Sequence, residues 1–194
     1  NFKEGTYEIE SVRTGTALEL AVEGVPVGGR RRRGTPGAAP AEGGGGSRGG
    51  ASGVQDGVIP PQNVAQVSTN WPAGTIDIRM ANYLCQVQQK WAVTAVANVG
   101  GYPGAPYFKI TIAGTDRTLA VGEDGELVAL PAFTGGPEQL WRLDQLADGT
   151  WRIMPRSAST AKEPLALSAL GSSFATLSKF DPASDKQRWL FKTP

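Results

Sequence analysis

The chain contains no histidine, and this absence excludes several classes of enzyme. Ser-His-Asp and Cys-His catalysis both need an imidazole as general base, and most zinc sites use one as a ligand. Paired carboxylates could still hydrolyse glycosides, but the acidic residues are scattered over turns and no pair stands out. The sequence therefore favours a protein that is not an enzyme and that uses no metal and no cofactor.

Cysteine is almost absent as well. Cys85 is the only one in 194 residues, so no intrachain disulfide can form. A lone cysteine is most often a small buried side chain, and we expect that role for Cys85. The lack of disulfides suits a cytoplasmic protein and does not forbid an extracellular one.

The chain also lacks an excess of charge of one sign and any long apolar run. Its 19 basic and 18 acidic residues leave a net charge of +1, so no global field favours nucleic acid or a membrane. No apolar run approaches membrane-spanning length and no secretory h-region is present, so we expect neither a transmembrane segment nor a signal peptide in this chain. We expect no nucleic-acid partner and no membrane insertion, while the location, extracellular or cytoplasmic, stays open.

What the chain does contain is one short motif that occurs three times. The motif is Gln-x-Trp, at residues 89–91, 139–141 and 187–189. Its tryptophans are 50 and 48 residues apart, and they are three of only five in the chain. A fixed period of this size indicates an internally repeated architecture.

Short segments with the alternating pattern of β-strands precede each motif. Gly, Pro, Asp and Asn turns separate them, and no stretch has a convincing helical period. First strands are expected at 7–9, 108–110 and 151–153, second strands at 18–20, 119–121 and 165–167, and third strands at 76–78, 127–130 and 175–177. A closing strand begins at each motif's tryptophan, so each unit has four strands.

Three four-stranded units with a Gln-x-Trp motif near each end resemble the ricin B-type lectin family, which has the β-trefoil fold. The resemblance covers the chain apart from one insertion. We therefore predict an all-β protein with a single β-trefoil domain over residues 1–194. Its pseudo-symmetric units are expected at 1–95, 96–145 and 146–194.

The first unit is much longer than the other two. Leu18 and Trp91 are 73 residues apart, whereas the matching spans are 22 and 24 residues. The excess contains a Gly/Arg-rich, low-complexity segment at residues 28–57, which has little to bury and much backbone entropy to lose. We expect a long flexible insertion there. Its arginines could contact a polyanion, but a solvated loop is the favoured interpretation.

The resemblance also implies where a sugar would bind. In the ricin B-type family the pocket takes an acid from the second strand, an aromatic from the third and an amide just before Gln-x-Trp. The first unit offers Glu19, Tyr83 and Gln88, with Asn82 beside the tyrosine. Glutamate at residue 19 stands where the family usually has aspartate.

The other two units depart further from the family pattern. The second has Phe133 and Glu138, but Ala120 replaces the strand acid, so that Asp116 or Asp124 would have to substitute from a turn. The third has Phe180 and Asp181, with Ala166 at the acid position. The motif's own residues are expected in the core, with tryptophan packing the barrel and glutamine binding loop backbone.

By resemblance, the function is non-catalytic recognition of glycans, galactose-type or related saccharides, through shallow pockets of aromatic and polar residues. Self-association into a homodimer would raise avidity. The alternative is a β-trefoil protease inhibitor that acts through rigid loops at residues 100–104 or 157–164. A trefoil that binds a protein or polyanion through its insertion is a third reading.

Overall fold

The computed structural model describes residues 2–22, 71–102, 105–159 and 164–194, which form one compact unit. The predicted Gly/Arg-rich segment at 28–57 lies outside these residues. None of the helices in the described ranges is long and apolar enough to cross a membrane.

Fourteen short strands make up most of the described chain. Their bounds are β1 Gly5–Ser11, β2 Ala17–Leu20, β3 Ile76–Ala81, β4 Trp91–Ala95, β5 Gly101–Tyr102, β6 Ala105–Pro106, β7 Phe108–Ile112, β8 Thr118–Val121, β9 Leu127–Leu130, β10 Trp141–Gln145, β11 Trp151–Pro155, β12 Leu165–Ala169, β13 Ala175–Lys179 and β14 Trp189–Lys192. A single helical turn, α1, covers Arg156–Ser159, and three 3₁₀ turns cover Val87–Gln89, Pro137–Gln139 and Asp185–Gln187. Each motif's glutamine thus ends a 3₁₀ turn, and each motif's tryptophan begins a strand.

Six strands close into an antiparallel barrel in the order β1, β4, β7, β10, β11, β14 and back to β1. The register repeats from unit to unit, because the aromatic of each first strand pairs with the tryptophan of the same unit. These pairs are Tyr7 with Trp91, Phe108 with Trp141 and Trp151 with Trp189. Closure leaves the barrel with no free sheet edge.

Six of the remaining strands form three hairpins, β2–β3, β8–β9 and β12–β13, one from each unit, and β5 pairs with β6 in a separate two-stranded sheet. A six-stranded barrel with three hairpins is a β-trefoil, so the predicted fold class is confirmed. The first hairpin is joined through residues 21–75, whereas the equivalent connections in the other units are residues 122–126 and 170–174. The insertion therefore falls between β2 and β3 of the first unit, as predicted.

The three motif tryptophans occupy equivalent places in the core and are fully buried. Each indole Nε1 donates a hydrogen bond to a leucine carbonyl on the second strand of its own unit. The acceptors are Leu18 at 2.9 Å, Leu119 at 3.0 Å and Leu167 at 3.0 Å. In each of the three units, one tryptophan side chain thus fills the barrel and holds the adjoining hairpin.

Two sequence expectations need correction. The sequence pattern makes Leu165 the counterpart of Leu18 and Ala166 the counterpart of Glu19. The tryptophan hydrogen bonds show instead that Leu167 is the counterpart of Leu18. Ser168 rather than Ala166 therefore stands at the position of the acid. Cys85 was expected to be buried, but it is exposed. Its φ of 62° places it in the left-handed region, where the second unit has Gly135 with φ 90°. The loop's turn geometry therefore decides the exposure of this cysteine.

Candidate functional site

The motif glutamines tie the loop after each third strand to the barrel. The side-chain oxygen of Gln89 accepts from the Leu84 N–H at 2.8 Å, and that of Gln139 accepts from the Thr134 N–H at 2.7 Å. In the third unit, Gln187 accepts from the Asp181 N–H at 2.9 Å. The predicted role of glutamine is therefore confirmed in all three units.

The amide nitrogens of these glutamines, in contrast, distinguish the units. Gln89 donates to the Glu19 carboxylate at 2.8 Å, and Gln187 donates to the Ser168 hydroxyl at 3.2 Å. The equivalent residue of the second unit is Ala120, which has no side-chain acceptor. Glu19, Ala120 and Ser168 thus occupy equivalent positions of the three units and differ in the side chain that each places there.

In the first unit an ion pair fills this position. Arg79 lies directly across from Glu19 and donates to its second carboxylate oxygen at 2.6 Å. Arg79 also donates to the Val22 carbonyl at 2.8 Å. Both oxygens of Glu19 are thereby engaged, and the residue is only 3% exposed. The Glu19 carboxylate is therefore buried and held by contacts within the protein.

The other predicted residues of the first unit lie around this closed position. Gln88 is buried and donates to the Gln86 side chain at 2.7 Å. Tyr83 is half-buried, and its hydroxyl donates to the Cys85 sulfur at 3.6 Å. Asn82 is exposed, and its backbone carbonyl accepts from Gln89. Together these contacts tie the predicted residues to one another and to their own loop.

Hydroxyl groups fill the same position in the third unit. Ser168 and Ser178 are hydrogen-bonded at 2.5 Å, and both accept from Gln187 at 3.2 Å. Nearby, Phe180 is half-buried under the Arg152 guanidinium, which lies 4.2 Å from its ring centre. Asp181 is exposed, and its carboxylate accepts from the Ala183 N–H at 3.0 Å. This position is closed as well.

The second unit has small apolar side chains at the corresponding place. Ala120, which is fully buried, lies across from Val128, where the first unit has Glu19 and Arg79 and the third has Ser168 and Thr176. A surface pocket of about 480 Å³ lies beside Val128. Its lining residues are Thr75, Val121, Gly122, Glu123, Asp124, Val128, Leu130 and Glu138. The pocket therefore combines aliphatic side chains with three carboxylates.

Local backbone geometry positions two of these carboxylates. Glu138 lies in the 3₁₀ turn Pro137–Gln139, and its carboxylate rests against Gly136, where a Cβ would come within 2.2 Å of it. Asp124 accepts from the Glu126 N–H at 3.0 Å in a turn that contains Gly125 with φ 83°. Within the described ranges no cluster of acidic residues has the arrangement of a metal site.

Of the nine predicted site residues, Glu138 lines this pocket and the others lie elsewhere. Phe133 is half-buried beneath Lys109, whose Nζ is 5.1 Å from its ring centre. Asp116 is exposed in the turn between β7 and β8, at the end of β8 away from the pocket. Asp124, named above as a substitute acid, does line it.

The sequence reasoning missed the aliphatic residues Val121 and Val128 and the contribution of Thr75. Thr75 follows a segment that Arg117, a buried residue of the second unit, holds through the carbonyls of Pro72 (2.6 Å) and Gly74. The only sequence feature that distinguishes the second unit here is Ala120, a small residue where the other units have polar side chains.

One more difference between the units concerns the outer face of the barrel. Lys109 and Arg152 follow the first-strand aromatics and cover Phe133 and Phe180. The first unit has Glu8 in this place, 5% exposed. Burial, together with neighbouring Glu10, raises the pKa of Glu8 to about 7, with Lys192 acting in the opposite direction.

Glu8 should make stability depend on pH. Its pKa rises from 4.5 to about 7 on folding, so the folded state holds the proton more tightly. The stability that Glu8 contributes is complete below about pH 4.5 and is lost as the pH rises to about 7, a change of roughly 3 kcal/mol. Relative to wild type, Glu8→Gln should gain about this much stability between pH 4.5 and 8 in urea unfolding. If the free energy of unfolding has the same pH dependence in both proteins, this prediction is wrong. As a control, Glu123→Gln, in a remote turn, should leave the pH dependence of the wild-type protein unchanged.

Comparisons with known proteins support the fold. ThreeFoil, a designed three-fold symmetric protein, is 16% identical with a TM-score of 0.58 over 97% of this chain and 99% of its own. SeviL bound to the asialo-GM1 saccharide is 10% identical, with a TM-score of 0.53 over 97% of both chains.

A lectin from Polyporus squamosus, bound to Neu5Acα2-6Galβ1-4GlcNAc, is 14% identical with a TM-score of 0.56 over 98% of this chain. The chain spans half the length of that lectin. No protein-family model matches the sequence, and no curated protein matches it either. The class that these observations define is the β-trefoil fold, which this chain shares with these lectins and with ThreeFoil.

Proposed function

We propose that this protein is a non-catalytic lectin of ricin B type that binds glycans through the pocket of its second unit. The observation that carries the proposal is the contrast between equivalent positions. An ion pair occupies the first and hydroxyl groups occupy the third, while in the second the buried Ala120 lies across from Val128, which lines a surface pocket. Saccharide complexes of two neighbours in the same fold support glycans as the ligand class.

The lining of the pocket suits a sugar ring. Val121, Val128 and Leu130 offer aliphatic surface to the C–H groups of the ring, while the carboxylates accept hydrogen bonds from its hydroxyls. Hydrogen bonds to an ionised acceptor are about twice as strong as neutral ones. Because no aromatic residue of the described chain lines the pocket, we expect affinity on the order of millimolar for a single sugar, near −4 kcal/mol. Galactose-type or related saccharides are the first ligands to test, and a homodimer would raise avidity.

Filling the pocket should abolish binding. Val128→Arg places the side chain found at Arg79 into the equivalent position of the second unit, and we expect at least about a tenfold loss of affinity. Val128→Thr copies the third unit's Thr176, is shorter, and should stay within about threefold of wild type. The measurement is a glycan array followed by NMR titration of the selected glycans.

Two results would contradict the proposal. Unchanged binding by Val128→Arg would move the site away from this pocket. No selective binding to any glycan would remove the lectin reading and direct attention to protease inhibition. That alternative depends on loops at 100–104 and 157–164, of which residues 103–104 and 160–163 lie outside the described residues.

A further inference from the structure

The carboxylates of the second-unit pocket have no cationic partner. Glu123 and Glu138 make no ion pair or side-chain hydrogen bond within the described chain, and Asp124 accepts only from a backbone N–H. No lysine or arginine of the described ranges lines the pocket. In the first unit, in contrast, the filled position balances its acid with a cation. Among the described residues, the lining of this pocket therefore carries three carboxylates and no compensating cation.

We propose that this pocket selects glycans that carry a protonated amine, such as sugars with a free 2-amino group, and discriminates against carboxylated or sulfated glycans. This inference rests on the proposed function and specifies its ligand class. An ammonium group on the ring would meet unpaired carboxylates and form charge-assisted hydrogen bonds. A ligand carboxylate or sulfate would meet like charge instead, and this is a strong source of discrimination.

The aliphatic lining argues for a sugar rather than a bare cation. Val121, Val128 and Leu130 occupy one part of the pocket, and a small hydrated cation would gain nothing from contact with them. An amino sugar uses both parts, since its ring covers the aliphatic side chains while its amine and hydroxyls reach the acids. At about 480 Å³ the pocket is within the size range of small-molecule sites.

The test compares three glycans with the intact protein at about pH 6: a glucosamine trimer with free amines, the N-acetylated trimer and a sialylated trisaccharide. We expect the free-amine trimer to bind about tenfold more tightly than the N-acetylated one at low salt, and the sialylated glycan not to bind. Raising the salt concentration should reduce the difference in affinity between the two trimers.

Two isosteric variants assign the effect to the pocket. Glu138→Gln removes a lining charge and should reduce the preference for the free amine by at least about threefold. Asp116→Asn removes an exposed charge at the other end of β8 and should leave the preference unchanged. If Glu138→Gln and Asp116→Asn reduce it equally, the preference reflects overall charge and the inference is wrong.

The remaining outcomes separate this inference from the proposed function. Equal binding of both trimers by wild type, abolished in Val128→Arg, would overturn the selectivity and leave the lectin proposal standing. Free-amine binding that survives Val128→Arg would overturn the placement of the charge effect in this pocket. No binding of any of the glycans would overturn both.

Discussion

Replacing Trp141 with alanine is expected to lower the free energy of unfolding by about 4 kcal/mol, as is typical of large buried aromatics. The side chain is fully buried in the barrel, so its removal leaves a cavity that the surrounding strands can fill only in part. It also removes the N–H donor to the Leu119 carbonyl at 3.0 Å. Urea unfolding followed by circular dichroism measures the loss, and a change below about 1 kcal/mol would contradict it.

The phenylalanine variants separate packing from hydrogen bonding. Trp141→Phe keeps most of the apolar volume but leaves the Leu119 carbonyl without its donor, which should cost about 2 kcal/mol. Trp91→Phe and Trp189→Phe lose an equivalent bond in equally buried surroundings, so the three losses should agree within about 0.5 kcal/mol. Widely different losses would show that the three tryptophans have the same geometry but contribute unequally to stability.

This threefold role of tryptophan explains why the fold could be predicted from the sequence. A residue that both fills the barrel and holds a hairpin cannot be exchanged without loss, so its spacing preserves the period of the units. The first strands could be predicted for a related reason, because an aromatic and an isoleucine two residues apart share one face of a half-buried strand. Both signals are local and repeated, and they survive the long insertion between β2 and β3.

The register of the third unit could not be predicted in the same way. Strand β12, Leu165–Ala169, has leucines two residues apart, so the alternating pattern fits either alignment. Only the bond from Trp189 to the Leu167 carbonyl selects one of them. That selection comes from packing between strands far apart in sequence, which a single chain's pattern does not contain.

The candidate site was harder to predict than the fold. Glu19 matched the family's acid, but its partner Arg79 lies beyond the insertion, and their pairing depends on the register of β2 and β3. The pocket lies beside Val128, which pairs with the small residue Ala120 where the first unit has its ion pair. Motif matching favours polar and aromatic residues, and it therefore selected the first unit, which the ion pair closes.

The ion pair between Arg79 and Glu19 in the first unit is expected to contribute strongly to stability. Arg79→Val is expected to lower the free energy of unfolding by about 2–3 kcal/mol at neutral pH, because it leaves the buried Glu19 carboxylate with Gln89 as its remaining donor. The value lies at the lower end of such effects because the Arg79 side chain is 45% exposed and partly screened by water. Chemical unfolding of the purified variant measures it.

Adding Glu19→Ala to Arg79→Val should restore most of this stability. The double variant places alanine opposite valine, the pair that Ala120 and Val128 form at the same position of the second unit. Exchanging a buried ion pair for apolar residues is often neutral or stabilising, whereas removing one partner alone is not. A double-mutant cycle should therefore give a coupling of about 2 kcal/mol between residues 19 and 79. If the two losses simply add, the ion pair does not hold this position closed. The contrast between a closed first unit and an open second unit would then need another cause.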